Sequence, residues 1–355
     1  MKKVLFPRDE NKHDDAIIEW WYFNGHLWDK RGSRYAYMST LFKVDTRHVG
    51  EPMLKRMPFK TLYFAHSQLF NVAKRSFAPI MEYIVIPSRD SFTRDLLFVN
   101  FASPFVMNGY FNNSIEETSL FNYRVKNEQV NLSLESKKKP LMVGGDGYQR
   151  LGNKGSYYYT LTHLDTKGTI RQNDRDLEVT GLSWMDHQWS KLNFASSRQW
   201  TWFSLQLDNG TEILCYIYGD DERDDCWASI MNPNGTQTHT SDVHFTALDE
   251  KWKSPKTKAT YSISWKISIP SKKINITVKP LRKDPEMLFA KVNYWEGPMD
   301  VRGTVGSKEV NGHGFMEIFG RPSQYNEITA LKGLVSDYAN GLKTQLARLP
   351  GGLKR

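Results

Sequence analysis

The 355-residue chain is longer than one ordinary hydrophobic core supports, so length alone favours two domains. Hydrophobic residues make up 39% and charged residues 25%, which excludes a disordered chain, and no window reaches the ~18 apolar residues of a membrane-spanning helix. The net charge of +9 comes without a nucleic-acid recognition motif, so no nucleic-acid partner is expected; a solvated basic surface and peripheral attraction to an anionic membrane both stay open.

The N-terminus, Met1-Lys-Lys-Val-Leu-Phe-Pro7, has the basic start of a secretory signal but no apolar stretch after it. The expected location is therefore cytoplasmic, or the chain is already mature. Strand and turn signals then dominate up to about Phe319. Glu19–Leu27 reads as a strand, Asp29–Gly32 as its turn and Arg34–Phe42 as the return. Further strands are expected at Glu82–Ile86, Leu96–Phe101, Asn131–Glu135, Tyr157–Leu164, Trp200–Leu207 and Glu212–Tyr218. The series continues at Tyr261–Ile269, Ile274–Val278, Phe289–Trp295 and Phe315–Phe319. Short strands separated by Gly, Pro and Asn indicate antiparallel sandwiches or barrels, and an aromatic share of 13% leans the same way.

One motif repeats. Glu19-Trp-Trp-Tyr-Phe…Leu27 returns as Gln199-Trp-Thr-Trp-Phe…Leu207, each followed by a turn containing Gly. If the echo is a duplication, it means two similar β domains joined near residues 190–198. The expected division is 1–192, 193–322 and a tail at 323–355. In that tail Ile328, Leu331, Leu334, Val335, Tyr338, Leu342 and Leu346 follow the period of an amphipathic helix.

The richest segment chemically is Gly181-Leu-Ser-Trp-Met-Asp-His-Gln-Trp189, followed by the hairpin centred on Asn209-Gly210. A two-residue turn there sets Leu205 opposite Leu214, Phe203 opposite Tyr216 and Thr201 opposite Tyr218. Both faces of that hairpin are apolar, so both should be covered. Alternation puts His187 and Trp189 on one face of their strand, with Asp186 and Gln188 on the other. Asp220 should share the face of Tyr218. A carboxyl held among Tyr and Trp rings loses solvation, stays protonated near neutrality and can protonate an unactivated double bond. Ring faces would steady the resulting cation. Glu296 and Glu317, in aromatic strands of the second half, compete for the donor role. Cys215 and Cys226 form no metal or redox motif, and no close His cluster, phosphate loop or nucleophile elbow is visible.

At this point the chain resembles the carotenoid 1,2-hydratase (hydroxyneurosporene synthase) family, a lipocalin-like group with kievitone hydratase and the fungal decalin-forming Diels–Alderases among its members. The matching stretches are Glu19–Leu27, Tyr63-Phe-Ala-His66, Tyr157–Thr162, Trp184–Trp189, Tyr294-Trp-Glu-Gly297 and Gly312–Glu317. The resemblance implies an all-β fold of two tandem lipocalin-like antiparallel barrels. It also implies catalytic roles for His187 and Trp189, and for Tyr218 and Asp220, the first pair matching His-x-Trp and the second Tyr-x-Asp. The leading expectation is a hydratase-type lyase, needing no cofactor or metal, that adds water across a C=C bond of an isoprenoid or similarly hydrophobic small molecule. Asp220 is its expected acid; Trp184, Trp202, Phe203, Tyr216, Glu296 and Glu317 are expected to line the ligand. A non-catalytic carrier and a Diels–Alderase-like pericyclase are the alternatives.

Overall fold

The computed structural model describes residues 3–48, 55, 60–102, 113–151, 154–173, 175–191, 199–219, 225–289 and 292–322. Asp220 and the helix expected over Ile328–Leu346 lie outside the described residues.

The first sheet begins with β1 (Ile18–Asp29), β2 (Arg34–Asp45), β3 (Thr61–Asn71), β4 (Ser76–Pro87), β5 (Phe98–Ala102) and β6 (Asn113–Ser119). It continues with β7 (Asn122–Lys126), β8 (Val130–Ser136), β9 (Leu141–Met142), β10 (Tyr148–Leu151), β11 (Lys154–Gln172) and β12 (Arg175–Ser190). The strands run β11-β12-β1-β2-β3-β4-β5-β6-β7-β8, and β8 pairs back onto β11, so the sheet closes into a barrel. Closure relies on the length of β11, whose second half pairs with β8 while its first half pairs with β9 and β10. A bulge between Leu161 and Leu164 marks the change.

The second half contains β13 (Trp200–Leu207), β14 (Glu212–Tyr218), β15 (Asp225–Met231), β16 (Gln237–Thr240), β17 (His244–Ala247) and β18 (Lys251–Lys253). It ends with β19 (Thr260–Ser262), β20 (Trp265–Ile269), β21 (Ile274–Pro280), β22 (Glu286–Phe289), β23 (Val292–Val305) and β24 (Lys308–Phe319). Its main sheet runs β16-β15-β14-β13-β24-β23-β21-β20-β17. The edge strands β16 and β17 are consecutive in the chain, so the sheet curls to bring its edges together without a ladder between them. The fold is all-β, as the alternation predicted. Among the described residues no helix is long and apolar enough to cross a membrane.

Two expectations are corrected. The hairpin register is one residue off: Trp202 stands opposite Tyr216, Phe203 opposite Cys215 and Trp200 opposite Tyr218. The loop has three residues, because Leu207 pairs with Thr211 and Gly210 takes φ 79°. That left-handed residue adds the bulge that shifts the register. The strand expected over Tyr261–Ile269 breaks at Ile263 and Ser264, where β19 leaves β18 and β20 takes β17 as partner.

The outer wall of the barrel packs on one face of the second sheet. Apolar residues of both halves merge there into one cluster, flanked by separate cores inside each half. The repeated motif lies at the centre of this contact. Tyr22 meets Trp202 edge-to-face at 5.5 Å, and Asn24 Nδ2 donates to Ser204 Oγ at 3.3 Å. These are equivalent positions of the echo touching each other, as happens beside a two-fold axis.

Candidate active site

The pleat of β12 divides the aromatic motif between two compartments. Trp184, Asp186 and Gln188 point outward to the second sheet, while Met185, His187 and Trp189 point into the barrel.

Between the sheets, Asp186 accepts hydrogen bonds from Trp184 Nε1 and Tyr158 Oη, both at 2.7 Å, and Tyr158 accepts one from Trp202 Nε1 at 3.0 Å. Glu296, on β23, accepts from Tyr22 Oη at 2.7 Å. Glu317 stands directly opposite Glu296 on β24 and accepts from Trp200 Nε1. Next to them His66 Nδ1 lies 2.6 Å from Tyr294 Oη. Burial pushes Asp186 up to about 7 against hydrogen bonds from Tyr158, Thr160 and Trp184. Burial, then repulsion from Glu317, lifts Glu296 well above the ordinary carboxyl range. Glu317 rises to about 7, chiefly by burial, with part of the residue still open to solvent. Burial drives His66 down to about 3, so it is neutral. The cluster thus consists of protonated or readily protonated acids among neutral donors.

Aromatic rings enclose it. Tyr216 and Tyr218 are buried in the same cluster, and half-buried Trp20, Trp200, Trp227 and Phe319 pack against it at its edge. Trp200 and Phe319 stack at 3.9 Å. A cleft of about 420 Å³ opens at the far end of the interface beside Trp28, Arg34, His163 and Leu207. The acids do not line that cleft.

Inside the barrel, His187 Nε2 lies 3.1 Å from Glu19 Oε1, and His13 Nδ1 lies 2.7 Å from the same oxygen. Lys43 Nζ holds Glu19 Oε2 at 3.2 Å. Burial works to raise the Glu19 pKa, yet hydrogen bonds from the two histidines outweigh it and hold the carboxyl at about 2. Trp189 stacks on His13 at 4.1 Å and on Tyr157 at 5.4 Å.

The expected site residues therefore separate. Trp184, Trp202, Tyr216, Tyr218, Glu296 and Glu317 gather between the sheets; His187 and Trp189 sit in the barrel lumen. Phe203, expected beside Tyr216, lies on the opposite face of β13 in the core of the second sheet. Asp220 follows two positions after Tyr218, outside the described residues. Sequence reading missed Asp186 and Tyr22 as site members, although alternation had already set Asp186 apart from His187.

A family profile described as AttH-like matches residues 1–321. The chain is 26% identical over 227 residues to the dehydratase asqC of Emericella nidulans, covering 58% of this chain and 64% of that protein. It is 21% identical over 210 residues to kievitone hydratase of Fusarium solani subsp. phaseoli, covering 54% and 57% respectively. The chain thus spans less than two thirds of the length of these relatives. Among solved structures, an AttH protein of Nitrosomonas europaea superposes with a TM-score of 0.72 at 23% identity, covering 90% of this chain and 97% of that one. Kievitone hydratase of Nectria haematococca superposes at 0.69 with 19% identity, covering 89% and 93%. These superpositions establish the two-part β fold.

Proposed function

The chain belongs to the AttH-like family, and on that premise we propose that it is a hydro-lyase that adds water to, or removes it from, a C=C bond of a hydrophobic substrate held between the two sheets. The reading rests on one observation. Asp186, Glu296 and Glu317 are set among indoles and phenols, and among the described residues their side-chain hydrogen-bond partners are Tyr, Trp, Thr160 and, for the two glutamates, each other, rather than Lys or Arg. Carboxyls kept neutral in this way can act as general acids near neutral pH. Two relatives named as a dehydratase and a hydratase support water as the group gained or lost.

Glu317 is assigned as the donor because it alone of the three keeps part of its surface open. Its O–H proton passes to one alkene carbon, and the π pair forms the new C–H bond. The cation left on the neighbouring carbon faces the rings of Trp200, Trp202 and Tyr218. Water adds to that carbon, and its surplus proton returns to Glu317, so the acid is regenerated. Dehydration is the same path reversed. Glu296 holds a proton beside Glu317 and limits the build-up of negative charge there. The aromatic walls favour an isoprenoid or similarly lipophilic alkene. His187 and Trp189 lie in the barrel lumen, on the other face of β12 from this site.

The test is turnover of a panel of prenylated and polyene substrates in ¹⁸O-labelled water, read by mass spectrometry. Wild-type protein should give product carrying one labelled oxygen. Glu317→Gln should lower turnover by ~10²–10⁴-fold with an unchanged circular dichroism spectrum. Near-wild-type turnover in that variant removes Glu317 from the mechanism. Recovery of unchanged ligand would favour a carrier, and an unlabelled cyclised isomer a pericyclase.

A further inference from the structure

We propose that the lumen of the first barrel contains a divalent transition-metal site formed by His13 Nδ1, Glu19 Oε1 and His187 Nε2, distinct from the acids between the sheets. The three ligand atoms lie within 4.8 Å of one another. Both imidazole nitrogens converge on one carboxylate oxygen, at 2.7 and 3.1 Å. Two imidazoles and a carboxylate form a donor set suited to Zn²⁺, Co²⁺ or Fe²⁺.

The surroundings match that assignment. Each imidazole presents its other nitrogen to an oxygen: His13 Nε2 to Asp9 Oδ1 at 3.4 Å, and His187 Nδ1 to Tyr159 Oη at 3.2 Å. Such oxygens accept the N–H of a metal-bound imidazole and fix which nitrogen ligates. Arg8 anchors Asp9, and Lys43 Nζ and the His13 backbone N–H hold Glu19 Oε2, while Oε1 faces both imidazoles. An imidazole with one ring proton can donate to only one of the two flanking carboxylates. An ion at Nδ1 moves the proton to Nε2 and makes both contacts favourable.

The His13 side chain is 17% exposed, whereas those of Glu19 and His187 are fully enclosed. Trp189 covers His13, and Trp21 stacks on His187 at 4.8 Å, giving the ion a low-dielectric wall. His13 precedes β1 and His187 lies on β12, so the ion would clamp the N-terminal segment to the barrel.

The test uses the full chain, stripped with a chelator, dialysed and titrated with Zn²⁺ or Co²⁺. One equivalent should bind by calorimetry, Co²⁺ should develop visible d–d bands of a low-symmetry site, and the melting temperature should rise. Asp9→Asn should weaken binding ~10–100-fold without abolishing it. Glu19→Gln also strands Lys43, so His13→Gln, on the partly exposed segment, is the deciding variant: it should lose the bands and the melting shift. If wild-type and His13→Gln proteins bind the same number of ions, or the wild type binds none, the proposal fails.

Discussion

Two polar clusters sit back to back across β12, and their chemistry is opposite. On the lumen side Glu19 is ionised, because two histidines donate to it and Lys43 lies against it. On the interface side Asp186, Glu296 and Glu317 receive hydrogen bonds from neutral rings, and burial raises all three. Both compartments are enclosed and aromatic, so burial alone does not determine the charge of a carboxyl. The hydrogen-bond partner decides it: imidazole and ammonium keep a carboxylate charged, while phenol and indole leave it able to hold a proton.

The largest expected contrast comes from amide replacements. Glu19→Gln in metal-free protein leaves Lys43 buried without its counter-charge and should cost ~3–5 kcal/mol, read as the shift in urea midpoint. Asp186→Asn, compared below about pH 6 where this acid holds its proton, should cost roughly 1 kcal/mol. Equal losses would contradict the difference in charge state.

A smaller effect appears with pH. Asp186 and Glu317 begin to ionise in the unfolded chain near their ordinary values of 3.8 and 4.5, but in the folded chain only near 7. Between those limits the folded state binds more protons, so their contribution to stability falls as pH rises and levels off above about 7. The double variant Asp186→Asn/Glu317→Gln should flatten this part of the wild-type stability–pH curve. An unchanged slope would mean that the interface acids are already ionised in the fold. The smallest effect tests the contact that joins the halves: Asn24→Ala should cost ~0.5–1.5 kcal/mol in thermal melts by stranding Ser204 Oγ.

Strand positions were legible because alternation survives in segments such as Glu19–Leu27, where one face enters the barrel and the other meets the second sheet. The hairpin register was not, because it depends on whether Gly210 adds a bulge, and Asn-Gly permits both loop lengths. The pairing of faces was legible within β12, which put Asp186 and His187 on opposite sides. Their partners were not: Glu296 reaches Tyr22, and His187 reaches Glu19, only after closure of the barrel and docking of the second sheet. No local pattern encodes such distant meetings. The His13–Glu19–His187 cluster has no sequence signature for the same reason, since its histidines lie at opposite ends of the barrel sequence.

The near-two-fold contact of Tyr22 with Trp202 has an evolutionary consequence. Asp186 stands across from Tyr22 as Glu317 stands across from Trp202, so the two acids occupy corresponding places in the two halves. A half-length chain with one such acid would bring two copies of it together simply by forming a homodimer through this face. Fusion of the copies would then free each acid to change independently. In this chain one is a fully enclosed aspartate and the other a glutamate partly open to solvent.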